Sequence, residues 1–420
     1  LIRVDPELRR IAFPNPEQRE LRATWHRAFP AEIGGGEYNR AAGLATRPGV
    51  VPTLFPNDSD GTLQDAIAAV AAGGGILEIR SNDVFILPDP VISPAPPTDS
   101  AGDEVEVILR AGNGFRPILR VSEPLEVSGG IGARVTLNGL TIEGAGARVV
   151  PTGNGESLSE LTIAHCTLIP GLSYRADGGP QSPGSPSLTI QTTGVEVSIV
   201  RSILGPIRMT DTTNATLVDS IVDAAAAQSI DSPDGLAIAG SDDAAEPAGN
   251  LTIHASTILG RIHARSFPLV SDSILHARSE PDAAPVRAVL RQQGCMRFTF
   301  VPTGSVVPRR YRCQPQLAID QQLAATQAAQ GARLSESQRT LIATRIRRWL
   351  IPSFTALSAS HPAYCQLHGS VPEEIRRGAS HGGEMGVYHL LHQPQRETNL
   401  RIRIEEYLRF GLEAGVFFET

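Results

Sequence analysis

Half of the chain's ten histidines fall in one short stretch: His361, His368, His381, His389 and His392. With Cys365 they write H-x3-C-x2-H and then H-x2-H, spacings that can ligate a metal ion. The paired C-x2-C that would make a zinc site specific is missing, and packed or surface histidines account for the set, so no metal ligand is assigned. Carboxylates give the second candidate chemistry. Asp211, Asp219 and Asp223 sit close together, and Ser241-Asp242-Asp243 follows. A glycoside hydrolase needs a tight carboxylate pair, and a lyase needs acidic Ca²⁺ ligands beside a base. Aligned with neighbouring repeats, however, the Asp219 position is His165, Arg201 and Ala255, so the acids read as a scattered solvated face. All 37 basic residues are arginine, which removes Schiff-base chemistry and amine bases. Ile33-Gly34-Gly35-Gly36-Glu37-Tyr38 is a glycine turn with no strand leading in and no GK[ST] after it, so it is not a phosphate loop. No catalytic and no cofactor-binding residue is assigned, and no cofactor is expected.

The elements that would hold such residues are repetitive. Val135–Ile142, Leu161–Leu168, Val197–Leu204, Ala215–Val222 and Leu251–Leu259 share the phrase L-T-I-x-x-S-x-I-L, with a truncated copy at Leu269–Leu275. The phrase reads as a strand, a small-residue corner and a second strand. A third strand fits at Ser187–Ile190, Ile207–Met209, Leu236–Ile238 and Arg261–His263. From Leu137 through Ile163, Ile199, Leu217, Ile253 and Val270, the steps are 26, 36, 18, 36 and 17 residues. The short steps are about one bare coil of a three-faced solenoid. The long ones carry insertions at Pro170–Pro186 and Ala239–Gly249. The predicted fold is mainly β: a right-handed parallel β-helix over 61–290, an irregular lead-in over 1–60 and a mixed, helical cap over 291–420.

Leu63, Ile67 and Val70 recur at helical spacing and predict a short helix lidding the first strand, Ile76–Ile79. Helices are also predicted at Leu317–Ala329, Leu334–Leu350 and Gln395–Leu412, the last with Leu400, Ile404, Tyr407, Leu408 and Leu412 on one stripe. Glu373–Arg377 is a short helix pairing its own charges. Short apolar stretches at Leu8–Phe13 and Trp25–Phe29 mark the lead-in.

Forty glycines and 32 prolines suit a turn-rich β fold, and the net charge of −7 with 5% aromatics disfavours nucleic acid. Arg309–Arg312 and Arg345–Arg348 therefore read as ion-paired surface or a protein docking patch. No apolar run is long enough to span a membrane. Cys166, Cys295, Cys313 and Cys365 are too few for a disulfide scaffold; Cys295 and Cys313 fit either a pair across a hairpin or two buried thiols.

Two sets of phrases are distinctive. Phe29–Arg40 contains a GGGEY-[DN]-R segment. Gly294–Phe298, Arg309–Pro315, Gly383–Gly386, Pro394–Leu400 and Glu406–Gly415 form the second set. Together they resemble a group of large, uncharacterised bacterial β-helix proteins of pectin-lyase-like fold, encoded beside phage-tail-like contractile injection systems. Val371-Pro372 stands where that group has a Cys-Pro pair, and the His361, Cys365 and His368 cluster is not a group feature. The resemblance implies a non-enzymatic component of a tail-like particle: peripheral baseplate, fibre or surface attachment. Its partners would be other particle proteins, with an envelope glycan or receptor as a further option. It would assemble in the cytoplasm, with extracellular release left open, and Leu1 would lie inside a longer polypeptide. The competing class is a carbohydrate-active enzyme or glycan-binding module on the same fold.

Overall fold

The computed structural model describes residues 3–5, 10–12, 31–45, 50–56, 61–94, 105–225, 235–243, 245–277 and 283–407. The protein is mainly β, with one parallel sheet of 18 strands, another of 8, and few helices. This arrangement is consistent with a parallel β-solenoid.

The strands form three ladders, because the 18-stranded sheet is two ladders joined through the long strand Arg261–Ser271. Each pass of chain, or coil, adds one strand to each. In the first ladder Leu137 pairs with Ile163, Ile163 with Ile199, Ile199 with Leu217, Leu217 with Ile253, and Ile253 with Val270. That is the register expected from the repeat. The proposed third strands form the second ladder, where Leu188 pairs with Ile207 and Ile207 with Ile238. The 8-stranded sheet carries Ile142, Leu168, Leu204, Val222, Ile258 and Leu275 in one buried column. Alternation explains the rest, since every second side chain of a strand points to the same side. The ladders also run past the repeat phrase. Thr53–Phe55 pairs with Gly75–Ile79 before residue 61, and Gly294–Arg297 and Arg309–Tyr311 continue the first ladder beyond 290.

The corner between the first ladder and the 8-stranded sheet sets the positions of the polar residues. His165, Arg201, Asp219, Ala255, Asp272, Phe298 and Arg312 occupy it in successive coils, all with φ between 46° and 56°. A left-handed conformation costs a non-glycine residue about 1–2 kcal/mol, so something must hold it. The next residue does: Cys166, Ser202, Ser220, Ser256, Ser273 and Thr299 stack inside the corner, each fully buried. The N–H of Ser202 donates to Ser220 Oγ, that of Ser220 to Ser256 Oγ and that of Ser256 to Ser273 Oγ, at 3.1 Å each. Each hydroxyl in turn donates to a carbonyl two residues back, as Ser220 Oγ does to Val218 at 2.7 Å. One small hydroxyl thus satisfies a buried backbone N–H and adds a second bond to a carbonyl that also accepts the neighbouring corner's N–H, as Val218 does from Arg201.

Helix α1 (Leu63–Gly73) starts with a capping box between Thr62 and Asp65, and buries Leu63, Ile67 and Val70. It shares the interior cluster with Phe55, Leu87 and Ile92 of the first coil, as a lid would. After the last coil come α2 (Gln316–Gln330), α3 (Glu336–Trp349), α4 (Glu373–Arg376) and α5 (Gln393–Tyr407). α2 and α3 pack through Ile319, Ile346 and Leu350 against Ile274 and Phe300. The stripe expected on α5 is not buried: Leu400 is 48% and Tyr407 83% exposed. Leu408 and Leu412 lie outside the described residues, as does Trp25–Phe29.

Candidate functional site

On the outer side of the 8-stranded sheet, Thr141, Thr167, Ile203, Ile221, Thr257 and Ile274 form a column in register. Most of these side chains are buried although they point away from the interior. Two glycine-containing segments lie over them as straps, both outside the repeat.

The first strap is Ala31–Arg40. The Gly34 N–H donates to the Arg201 carbonyl at 2.8 Å, and the Gly35 N–H to Thr167 Oγ1 at 2.9 Å. The second strap is Ser380–Leu391. The Gly386 N–H donates to the Asp272 carbonyl at 2.8 Å, and the Val387 N–H to Thr257 Oγ1 at 3.2 Å. The two seats match. A Cβ on Gly34 would lie 2.5 Å from Thr167 Oγ1 and 3.0 Å from Ile203; a Cβ on Gly386 would lie 2.7 Å from Thr257 Oγ1 and 3.0 Å from Ile274. Both glycines have positive φ, so conformation and space require glycine together. Ile33 of one strap and Val387 and Tyr388 of the other share a cluster with Ile221 and Leu259.

The corner residues fasten these straps. Tyr38 donates to the Gly34 carbonyl and contacts His165 Nδ1 at 2.9 Å. Burial, then the Arg201 and Arg40 charges, hold His165 down to about 4, so it is neutral at neutral pH. Arg40 is 3% exposed and donates to the carbonyls of Gly36, Gly112 and Phe115. Under the second strap His389 Nε2 meets Asp219 Oδ1 at 2.9 Å, and Arg201 approaches the same carboxylate at 3.6 Å. Asp272 Oδ1 accepts from the Ser380 N–H at 2.6 Å, and its carboxyl is held low: burial raises it, but the Ser271 and Ser380 hydrogen bonds outweigh that. The His381 ring packs 5.3 Å from His389 and 5.7 Å from His392. Buried Tyr364 donates to Asp223 Oδ2 at 2.6 Å, and burial pushes the Asp223 carboxyl up.

The candidates read from the sequence therefore separate. His381, His389, His392 and Asp219 are brought together. Asp223 lies under Tyr364, and Asp211 pairs with Arg265 at the exposed surface. Asp242 accepts from Ser241 within its own insertion. His361 and His368 close local turns, accepting from the Ala363 and Ser370 N–H groups, while Cys365 is buried beside Tyr364. Among the described residues no group of three or more His, Cys, Asp or Glu is arranged to hold a metal ion. All four cysteines are free, and Cys295 lies in a parallel strand against Arg309 rather than on a hairpin. Arg310 takes the inward register position after Met296, so Arg309–Arg312 is a strand and a corner as well as a basic cluster. Opposite charges do pair along α4 and its C-cap, where Glu373 meets Arg376 at 3.5 Å and Arg377 at 2.9 Å.

Sequence reading missed Tyr38, Arg40, Tyr364 and Glu384 as packing determinants. One signal was present: Ile-Gly-Gly and Met-Gly-Val each set an apolar residue before a glycine, with an aromatic residue soon after.

The seam is a set of charge contacts and hydrogen bonds between the straps and the corner, in which buried Arg40 Nε and Thr141 Oγ1 have no hydrogen-bond partner among the described residues. Comparison adds no relative: no protein-family model, curated protein or solved structure matches this chain.

Proposed function

We propose that the chain is a right-handed, three-faced parallel β-helix and serves as a non-enzymatic structural component of a phage-tail-like contractile injection particle, at its baseplate periphery, fibre or attachment surface. Assembly would be cytoplasmic. The identity of the particle rests on the resemblance of the two glycine-strap phrases and the C-terminal phrases. The observation that carries a docking role is the outer face of α3. Leu341 is 70% and Trp349 47% exposed there. Exposed Arg345, Arg347 and Arg348 stand beside them with no ion pair among the described residues. Aromatic and arginine side chains together are the usual anchors of protein interfaces. Purifying the native complex from its source with an antibody to this chain, and imaging it, tests the reading. Sheath or tube proteins and tail-like particles are expected; recovery of the free chain alone refutes it.

One observation favours a glycan-binding module instead. Thr136, Thr162, Ser198, Thr216 and Thr252 align on the outer side of the first ladder over five successive coils. Strand spacing sets these hydroxyls about 4.8 Å apart, a periodic row that an extended sugar chain could follow. Binding of envelope polysaccharide that Thr162→Val and Thr216→Val abolish would favour this reading.

A further inference from the structure

The two ends of the strand stack differ in charge and are both apolar. At the first coil, Val84–Leu87 and Val91–Ile92 each pair with one neighbouring strand only. Val51 is 85%, Ile86 70% and Val84 45% exposed there. The outward side of α1 adds exposed Ala68, Ala69 and Ala72. Asp65, Asp83 and Asp89 are exposed around this patch and have no ion pair among the described residues. At the last coil, Arg309–Tyr311 likewise pairs with one strand only. Tyr311 is 59%, Val289 51% and Val306 37% exposed. The charges here are Arg291, Arg309 and Arg312, exposed and also without an ion pair among the described residues. Exposed Arg80 at the first coil is paired with Glu78 at 2.7 Å, so the unpaired charges named at each apolar end carry one sign, opposite at the two ends, which is what a head-to-tail contact between copies requires.

We propose that a second copy of this chain is the occupant of both ends: the acidic first coil of one molecule docks on the basic last coil of the next. The contact is heterologous, so it propagates along one axis and yields rows rather than closed dimers. Burying the two apolar patches drives the contact, and the Asp and Arg rings set its polarity. This stacking does not depend on the particle assignment and can hold or fail separately from it.

The test is sedimentation velocity of the chain up to about 100 μM, in low and in high salt. The expected result is concentration-dependent association that salt weakens at least about tenfold. Asp83→Arg with Asp89→Arg makes both ends basic, and Arg309→Asp with Arg312→Asp makes both ends acidic. Each double variant should stay monomeric with an unchanged circular dichroism spectrum, because the side chains are exposed. Mixing the two variants should restore association, since acidic and basic ends then meet at every contact. Ile86→Asp should abolish association without any change of charge at the far end. A wild type that is monomeric throughout overturns the proposal. So does association that survives both double variants, or a mixture that does not associate.

Discussion

Glu384 lies in the second strap, 4% exposed, between Gly383 and the buried Met385. Burial pushes its carboxyl up from 4.5 to about 8, and the charge of Arg376 only partly opposes this. Glu384 is therefore a neutral acid at pH 7. Unfolded, it loses its proton near 4.5; folded, it keeps it to about 8. Between those values the folded state binds the extra proton, so stability is greatest below the lower value. It falls as pH rises through the window and levels off above it. At 1.36 kcal/mol per unit, the displacement amounts to about 5 kcal/mol at most. The strap can limit that loss by opening locally, which caps the penalty at its own opening free energy. Glu384→Gln keeps the shape and removes the ionisation. Urea unfolding from about pH 5 to about pH 9 should show a variant close to wild type at the acid end and several kcal/mol more stable at the alkaline end. Amide exchange over 380–391 should accelerate with pH in the wild type beyond the intrinsic rate, but not in the variant. A difference between the two proteins that does not change with pH refutes the reasoning, as does wild-type strap protection that is equal at both ends.

Three further outcomes follow from the seam and the corner. Gly386→Ala and Gly34→Ala each force a Cβ against a threonine hydroxyl at 2.7 and 2.5 Å; each should cost about 1–3 kcal/mol and deprotect its own strap in hydrogen exchange while leaving the other strap protected. Ser220→Ala orphans the buried Ser202 N–H, while the Val218 carbonyl keeps the Arg201 N–H, and should cost about 1–3 kcal/mol in urea unfolding, whereas Ser220→Cys, the residue present at Cys166 and Cys313, should cost less. His165 is depressed from 6.5 to about 4, so the stability it contributes is complete above the upper value and lost as pH falls through the lower one; His165→Gln should remove that part of the acid sensitivity between roughly pH 6.5 and 4 in the same unfolding series.

The strand register was legible because a parallel stack repeats its own neighbours. Ile163 pairs with Ile199 and Leu217 with Ile253, so each residue meets its counterpart in the phrase and like side chains recur. The phrase fades where the positions persist but the residue types change. In Cys295-Met296-Arg297-Phe298-Thr299, Met296 stands where isoleucine stood, and Thr299 where serine stood. That coil lies past the expected end of the repeat for this reason alone. The straps were illegible for a different reason. Gly34 and Gly386 dock through backbone N–H groups, and a backbone contact constrains the glycine but not the side chains beside it. The row of His165, Arg201, Asp219 and Ala255 looked arbitrary as chemistry. Its constraint is a left-handed corner whose outward side chain is free to differ from coil to coil.

That freedom connects the corner to the straps. A left-handed residue turns the chain within one position, and at Arg201 and Asp272 its carbonyl accepts the strap glycine's N–H. The outward side chains then differ according to what crosses above them: His165 under Tyr38, Asp219 under His389, Asp272 under Ser380. Residues that looked in the sequence like separate catalytic or metal candidates share one physical task, holding two segments remote from the repeat across a half-apolar sheet face. Exposed apolar side chains stand beside unpaired charges on α3 and at the two ends of the stack. Interaction with other molecules is therefore expected at those surfaces, and substitutions in the seam should alter stability before they alter binding.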